Sequence, residues 1–92
     1  MSETIDEITV NYEDNGKLLV KELKKEVLTK GAWSTIMFLY QGMDRKTGEY
    51  GAPKITIRRY KKASGVYRQQ SKFNIGNPKQ AKQIVDTINQ WY

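Results

Sequence analysis

The side chains in this sequence that could do chemistry are cations and aromatic rings, and they are concentrated. Seven Lys and Arg fall between Lys54 and Lys72 (Lys54, Arg58, Arg59, Lys61, Lys62, Arg68, Lys72) with no acid among them, and Tyr60 and Tyr67 lie in the same stretch. Cations meet phosphates and aromatic rings stack on unpaired bases, so this composition points to holding a polyanion rather than transforming it. The inventory for catalysis is thin. There is no His to serve as an imidazole base and no Cys for thiolate or zinc chemistry. The seven Gly form neither a G-x-x-x-x-G-K-[ST] nor a G-x-G-x-x-G phosphate cradle. Asp44, Glu49 and Asp86, the acids of the basic region, do not suggest a two-metal cluster. The expectation is a binding protein and not an enzyme, with no catalytic residue, metal, cofactor or small-molecule substrate.

Charge divides the chain into two parts. Residues 1–29 carry four Lys against seven acids, a net of −3, whereas residues 30–92 carry twelve Lys and Arg against three acids, a net of +9. The 92 residues are expected to form one domain, because chains split only well beyond this length. Within it, 1–29 reads as an acidic N-terminal hairpin segment and 30–92 as a basic strand-strand-strand-helix core. The longest apolar stretch, Ile36 to Tyr40, is too short to span a bilayer, and MSETIDEITV lacks the positive start and apolar run of a signal peptide. A cytoplasmic protein with no membrane partner is the expectation, with nucleoid association as an option within it; the lack of Cys agrees with a reducing compartment.

These side chains must be positioned by a sheet. Ile5 to Tyr12 is rich in β-branched and aromatic residues and leads to Asn15-Gly16, a hairpin signal. Residues 17–29 are ambiguous. Leu19, Leu23 and Val27 recur at helical spacing, yet the Asn-Gly turn asks for a returning strand, and the strand is the preferred reading. Trp33 to Gln41 forms a strand that is apolar on both parities, which implies cover on both faces and leaves open which parity faces the helix. Met43 to Pro53 reads as a loop, Lys54 to Lys62 as a strand, Ala63-Ser64-Gly65 as a turn and Val66 to Ile75 as a strand. Asn77-Pro78-Lys79-Gln80 carries a capping-box signature, and Ala81, Ile84, Val85, Ile88 and Trp91 form one helical stripe. The fold class is therefore α+β, an antiparallel meander of four to five strands with one C-terminal helix packed on it. A second copy is expected to cover the remaining apolar face, giving a homodimer.

Parity then selects candidates. If Ile55 and Ile57 point at the helix, Arg58, Tyr60 and Lys62 project outward with Thr56; if Phe73 and Ile75 point in, Arg68, Gln70 and Lys72 join them. With Trp33 and Lys54, these residues are the expected nucleic-acid-binding set: Arg58, Tyr60, Lys62, Arg68, Gln70, Lys72, Trp33 and Lys54. A flat sheet does not enter the major groove of a duplex as a lone helix does, which favours single strands. A Tyr in a strand is also a common cross-strand packing partner, so the set is carried by the constellation and not by one member.

The pattern Ile55-x-Ile57-Arg58-x-Tyr60, a turn, then Ser71-x-Phe73-x-Ile75 running into a Pro-headed helix resembles the single-strand-binding transcriptional regulators. That superfamily includes the positive cofactor four coactivators, the purine-rich-element-binding proteins and the Whirly proteins. The resemblance covers about two-thirds of the chain, from Ala32 onward. It implies four antiparallel strands followed by a helix and a homodimer gripping single-stranded DNA or RNA through Arg58, Tyr60, Lys62, Arg68 and Lys72. A role in transcription regulation or replication would follow from the resemblance, although the acidic segment from Ser2 to Glu26 differs from the Ser- and Lys-rich tail of the coactivators. DNA and RNA remain alternatives, as does a protein-interaction module contacting its partner through strand 33–40 or the helix stripe.

Overall fold

The structure is a computed structural model that describes residues 4–92; Ser2 and Glu3 of the acidic segment lie outside them. Five strands form one antiparallel sheet in sequence order: β1 (Tyr12–Asp14), β2 (Lys17–Thr29), β3 (Trp33–Gly42), β4 (Lys54–Ala63) and β5 (Val66–Ile75). One helix, α1 (Pro78–Trp91), follows. Two of the turns need positive φ at consecutive residues, and the chain supplies them with Asn15-Gly16 (φ 52° and 78°) and Ser64-Gly65 (φ 53° and 82°). Such pairs match the right-handed twist of the strands they join. Residues 43–53 are more ordered than a plain loop: Met43 bridges Tyr50, and the Tyr50 hydroxyl donates to the Leu18 carbonyl at 2.6 Å, tying the excursion back to β2.

The strand over 17–29 holds, and its helix-like spacing marks no common face. Its register against β3 shifts once between Glu22 and Lys24 and again between Val27 and Thr29, so Leu23 and Leu28 are extra residues in two bulges. Each bulge reverses parity and bends and twists the strand, so Leu19 lies on one face, Leu23 in a bulge and Val27 on the other face.

While Ile75 is buried on one face beside the start of α1, the main core cluster forms on the other. Ser34, Ile36 and Phe38 of β3 lie opposite Tyr60, Arg58 and Thr56 of β4, and all but Arg58 are buried. Of the expected strand over 5–12, only Tyr12 lies in the sheet. Residues 5–7 make a single 3-10 turn, and the following extended residues cross this face and lay Ile8 and Val10 on Ile36, Phe38, Tyr60 and Tyr67. The β-branched and aromatic composition of 5–12 was a true sign of extended backbone, but the segment forms a strap over the sheet. Polar bonds fasten it. The Lys25 ammonium donates to the carbonyls of Ile5 at 2.6 Å and Ile8 at 2.8 Å; Thr9 donates to the Glu22 carboxylate, and the Glu22 N–H donates to Asn11 Oδ1, both at 2.7 Å.

The helix begins as its sequence specifies. Asn77 caps it by accepting from the Gln80 N–H at 2.8 Å, and the Gln80 side chain reaches back to the Gly76 N–H at 3.0 Å. Its stripe, however, does not lie across the sheet. The first turn, with Pro78 and Ala81, borders a cavity shared with Leu39, Ile55 and Ile75, and Val85, Ile88 and Trp91 are 55%, 46% and 78% exposed. The radius of gyration, 14.8 Å, exceeds the roughly 12 Å of a compact domain of this length.

If the strap completes the core, Ile8→Ala should cost about 2–4 kcal/mol in urea denaturation, whereas Leu28→Ala, at an exposed bulge, should cost less than about 1 kcal/mol. Equal and small losses at the two sites would show that the strap contributes no core.

Candidate nucleic-acid interface

The sheet has a covered face under the strap and an open face behind it. Register assigns the open face to Trp33, Thr35, Met37 and Leu39 of β3 and to their partners Lys61, Arg59, Ile57 and Ile55 of β4. On β5, Ile75, Phe73 and Ser71 continue the rows of Ile55, Ile57 and Arg59, and Arg68 continues the row of Lys61. The open face is thus divided in two. Toward α1 it is apolar, with Met37, Leu39, Ile55, Ile57 and Phe73; toward the Ser64-Gly65 turn it is cationic, with Arg59, Lys61 and Arg68.

Trp33 stands in the cationic half, 44% exposed. The Arg59 guanidinium lies 4.6 Å from its ring centroid and the Lys61 ammonium 5.3 Å, within cation–π range. The ring is therefore held in place by two cross-strand neighbours while much of it stays open to solvent. A rigid, partly exposed indole among cations has the means to stack a base while the cations meet its flanking phosphates.

The eight residues expected from sequence do not share one face. Trp33 and Arg68 are on the open face. Lys54, Arg58, Tyr60, Lys62 and Lys72 belong to the covered face, where Lys54, Lys62 and Lys72 remain exposed at the rim, Arg58 is half-buried and Tyr60 is 7% exposed. Gln70 is the cause of the split. The β4–β5 register shifts between Arg59 and Tyr60, so Gln70 is an extra residue on β5 and the parity of everything before it reverses. Arg68 is thereby moved to the open face and Tyr67 into the core, where its hydroxyl donates to the Gly31 carbonyl at 3.2 Å. Tyr60 as a stacking platform is corrected by the same geometry, since its ring packs under Ile8 and Val10. Arg59 and Lys61 were missed because Arg58 to Lys62 carries cations on both parities, and nothing in the local sequence says which parity the strap will cover.

Along the other side of β5 a second groove runs between the strap and the edge strand. Ile8 and Thr9 form one wall and Arg68 and Gln69 the other, with Arg58 and Tyr60 between them. Arg58 Nη1 donates to Gln69 Oε1 at 3.2 Å, while its Nε is buried without a partner. Among the described residues no group of His, Cys, Asp and Glu is arranged to hold a metal. No helix among the described residues is long and apolar enough to cross a membrane. Comparison with models of known families, with curated proteins and with solved structures gives no match.

Burial pushes the Tyr60 phenol above its ordinary 10.0, and the hydrogen bond and charge of Arg58 pull it partly back. An acid whose folded value is raised contributes stability that is complete below its unfolded value and is lost as pH rises through the folded one. Stability should therefore fall above about pH 10, and Tyr60→Phe should flatten that fall in alkaline denaturation curves. An unchanged alkaline slope in the variant would remove Tyr60 as the cause.

Proposed function

We propose that this protein binds single-stranded nucleic acid, with single-stranded DNA as the primary ligand, on the cationic half of the open face. The observation that carries the reading is Trp33, half-exposed and braced by Arg59 and Lys61 with Arg68 in the next strand. Stacking on one indole contributes about 1–3 kcal/mol and requires a base free of its duplex partner. The surrounding cations supply the sequence-independent part of the affinity. The resemblance to the single-strand-binding transcriptional regulators supports the same reading, including a role in transcription or replication. RNA is the alternative ligand on the same face, and the distinction rests on how the site treats a 2′-hydroxyl.

The working unit in this reading is a homodimer. Two apolar surfaces lack cover within one chain: the half of the open face that holds Met37, Leu39, Ile57 and Phe73, and the helix stripe of Val85, Ile88 and Trp91. Soluble monomers rarely expose both. A two-fold partner buries the pair at once and places two cationic halves in one particle, so one strand of nucleic acid gains from effective concentration. A protein-interaction module would use the same apolar half for a different protein.

Anisotropy titration with labelled single-stranded DNA, single-stranded RNA and duplex of equal length tests the ligand. Three cations around Trp33 give an expected slope of log K against log salt of roughly −2 per protomer, from about −0.7 per phosphate. Trp33→Ala should weaken binding by about 1–3 kcal/mol, and Arg59→Ala should reduce the slope by about 0.7. Tighter binding to duplex, or a flat salt response, would sink the reading. Multi-angle light scattering without nucleic acid should give about twice 10.7 kDa, and a mass near 10.7 kDa would exclude the dimer.

A further inference from the structure

A guanidinium half-buried in a sheet needs a negative partner, because removing a charge from water costs free energy that only pairing and hydrogen bonds offset. Arg58 has no such partner among the described residues, whose one ion pair is Arg45–Asp14 at 4.0 Å. Its own bonds are incomplete as well: Nη1 reaches the neutral Gln69 amide at 3.2 Å, and the buried Nε has no acceptor. The Tyr60 phenol, hydrogen-bonded to Arg58, supplies no charge, because a phenol is neutral at neutral pH and burial raises this one further. A second arginine, Arg68, lines the same groove and brings another positive charge instead of a compensating one. Arg58, Arg68 and Gln69 line a groove between the strap and β5 that is open to solvent, and no carboxylate residue does. That donor set fits an oxyanion, since guanidinium forks match phosphate geometry and charge-assisted bonds to it are the strong ones.

We infer that the groove between Ile8–Thr9 and the β5 edge is a phosphate-binding site, with Arg58 and Arg68 as its charged donors and Gln69 as the group that aims Arg58. Resting on the proposed function, its phosphate is a backbone phosphate of the same nucleic acid whose base stacks on Trp33. Arg68 connects the two, because it lies in the open-face row of Lys61 and also lines the groove across the free edge of β5. The strand would then pass around that edge from one face to the other.

Nitrogen–proton correlation spectra read the Nε–H of Arg58, the side-chain amide of Gln69 and the indole N–H of Trp33 separately. Titration with inorganic phosphate should shift Arg58 and Gln69 saturably and leave Trp33 in place, while sodium chloride at matched ionic strength should shift none of them. Arg68→Gln, at an exposed edge position where folding is not at risk, should weaken the phosphate response about tenfold, the loss expected for one charge-assisted bond. Arg58→Lys should retain the charge and lose the fork, with a similar weakening. A shift that follows ionic strength alone, or one untouched by Arg68→Gln, overturns the site. A single-stranded pentanucleotide distinguishes the sources. Shifts at Trp33 and Arg58 together support the backbone assignment; a shift at Trp33 without Arg58 overturns it and leaves the proposed function standing. Saturable phosphate binding with no response to the pentanucleotide supports the phosphate site, makes a small phosphorylated ligand its source and removes the nucleic-acid reading.

Discussion

Ile8 and Val10 resting on Ile36, Phe38, Tyr60 and Tyr67 form the contact on which the other features depend. A single twisted sheet has two faces, and a chain of this length needs at least one of them dry. The helix does not supply that cover, since its outer turns stay exposed. The strap does, although a lone extended segment carries backbone groups with no ladder to satisfy them. Lys25 takes the carbonyls of Ile5 and Ile8, while Asn11 and Thr9 bind Glu22, so the strap's polar atoms are spent on β2 and its apolar ones on β3 and β4. Lys25 is a cation used for structure and unavailable to a ligand.

With one face closed by the strap, the remaining chemistry is distributed on the other face and along the β5 edge. An open edge is a hazard, because its unpaired N–H and C=O groups can recruit another strand. Arg68 and Lys72, exposed on β5, act against such pairing whatever else they bind. In the proposed reading the same charges serve two ends, keeping the edge free of other sheets and holding a flexible polyanion. Trp33 adds what charge alone lacks, a flat apolar surface fixed in orientation by its cross-strand neighbours.

Legibility in the sequence followed the range of the interactions involved. Local chemistry could be read: Asn15-Gly16 and Ser64-Gly65 made the turns, Asn77 and Gln80 started the helix, and β3, β4 and β5 lie within a residue or two of the expected runs. Which way each side chain points could not be read with the same success. Leu23, Leu28 and Gln70 are bulge residues, and a single inserted residue leaves no compositional mark while reversing parity beyond it. The β-branched and aromatic composition of 5–12 pointed to extended backbone, but lying in a sheet and lying across one favour the same residues. Tyr60 followed from that ambiguity, and so did Arg59 and Lys61. The helix stripe was visible, whereas its lack of an intrachain partner was not, because amphipathicity records that a face needs cover and not which chain provides it.

The strap also sets an order of events during folding. Residues 5–11 emerge from synthesis before any strand on which they dock, and their contacts reach as far along the chain as Tyr67. Pairings of such long sequence separation form late, after the intervening chain has lost its freedom, so the β2–β5 meander must assemble first with Ile36 and Phe38 still wet. In that interval the nascent sheet is apolar on both faces, and the charged β5 edge protects it from its neighbours when its core cannot.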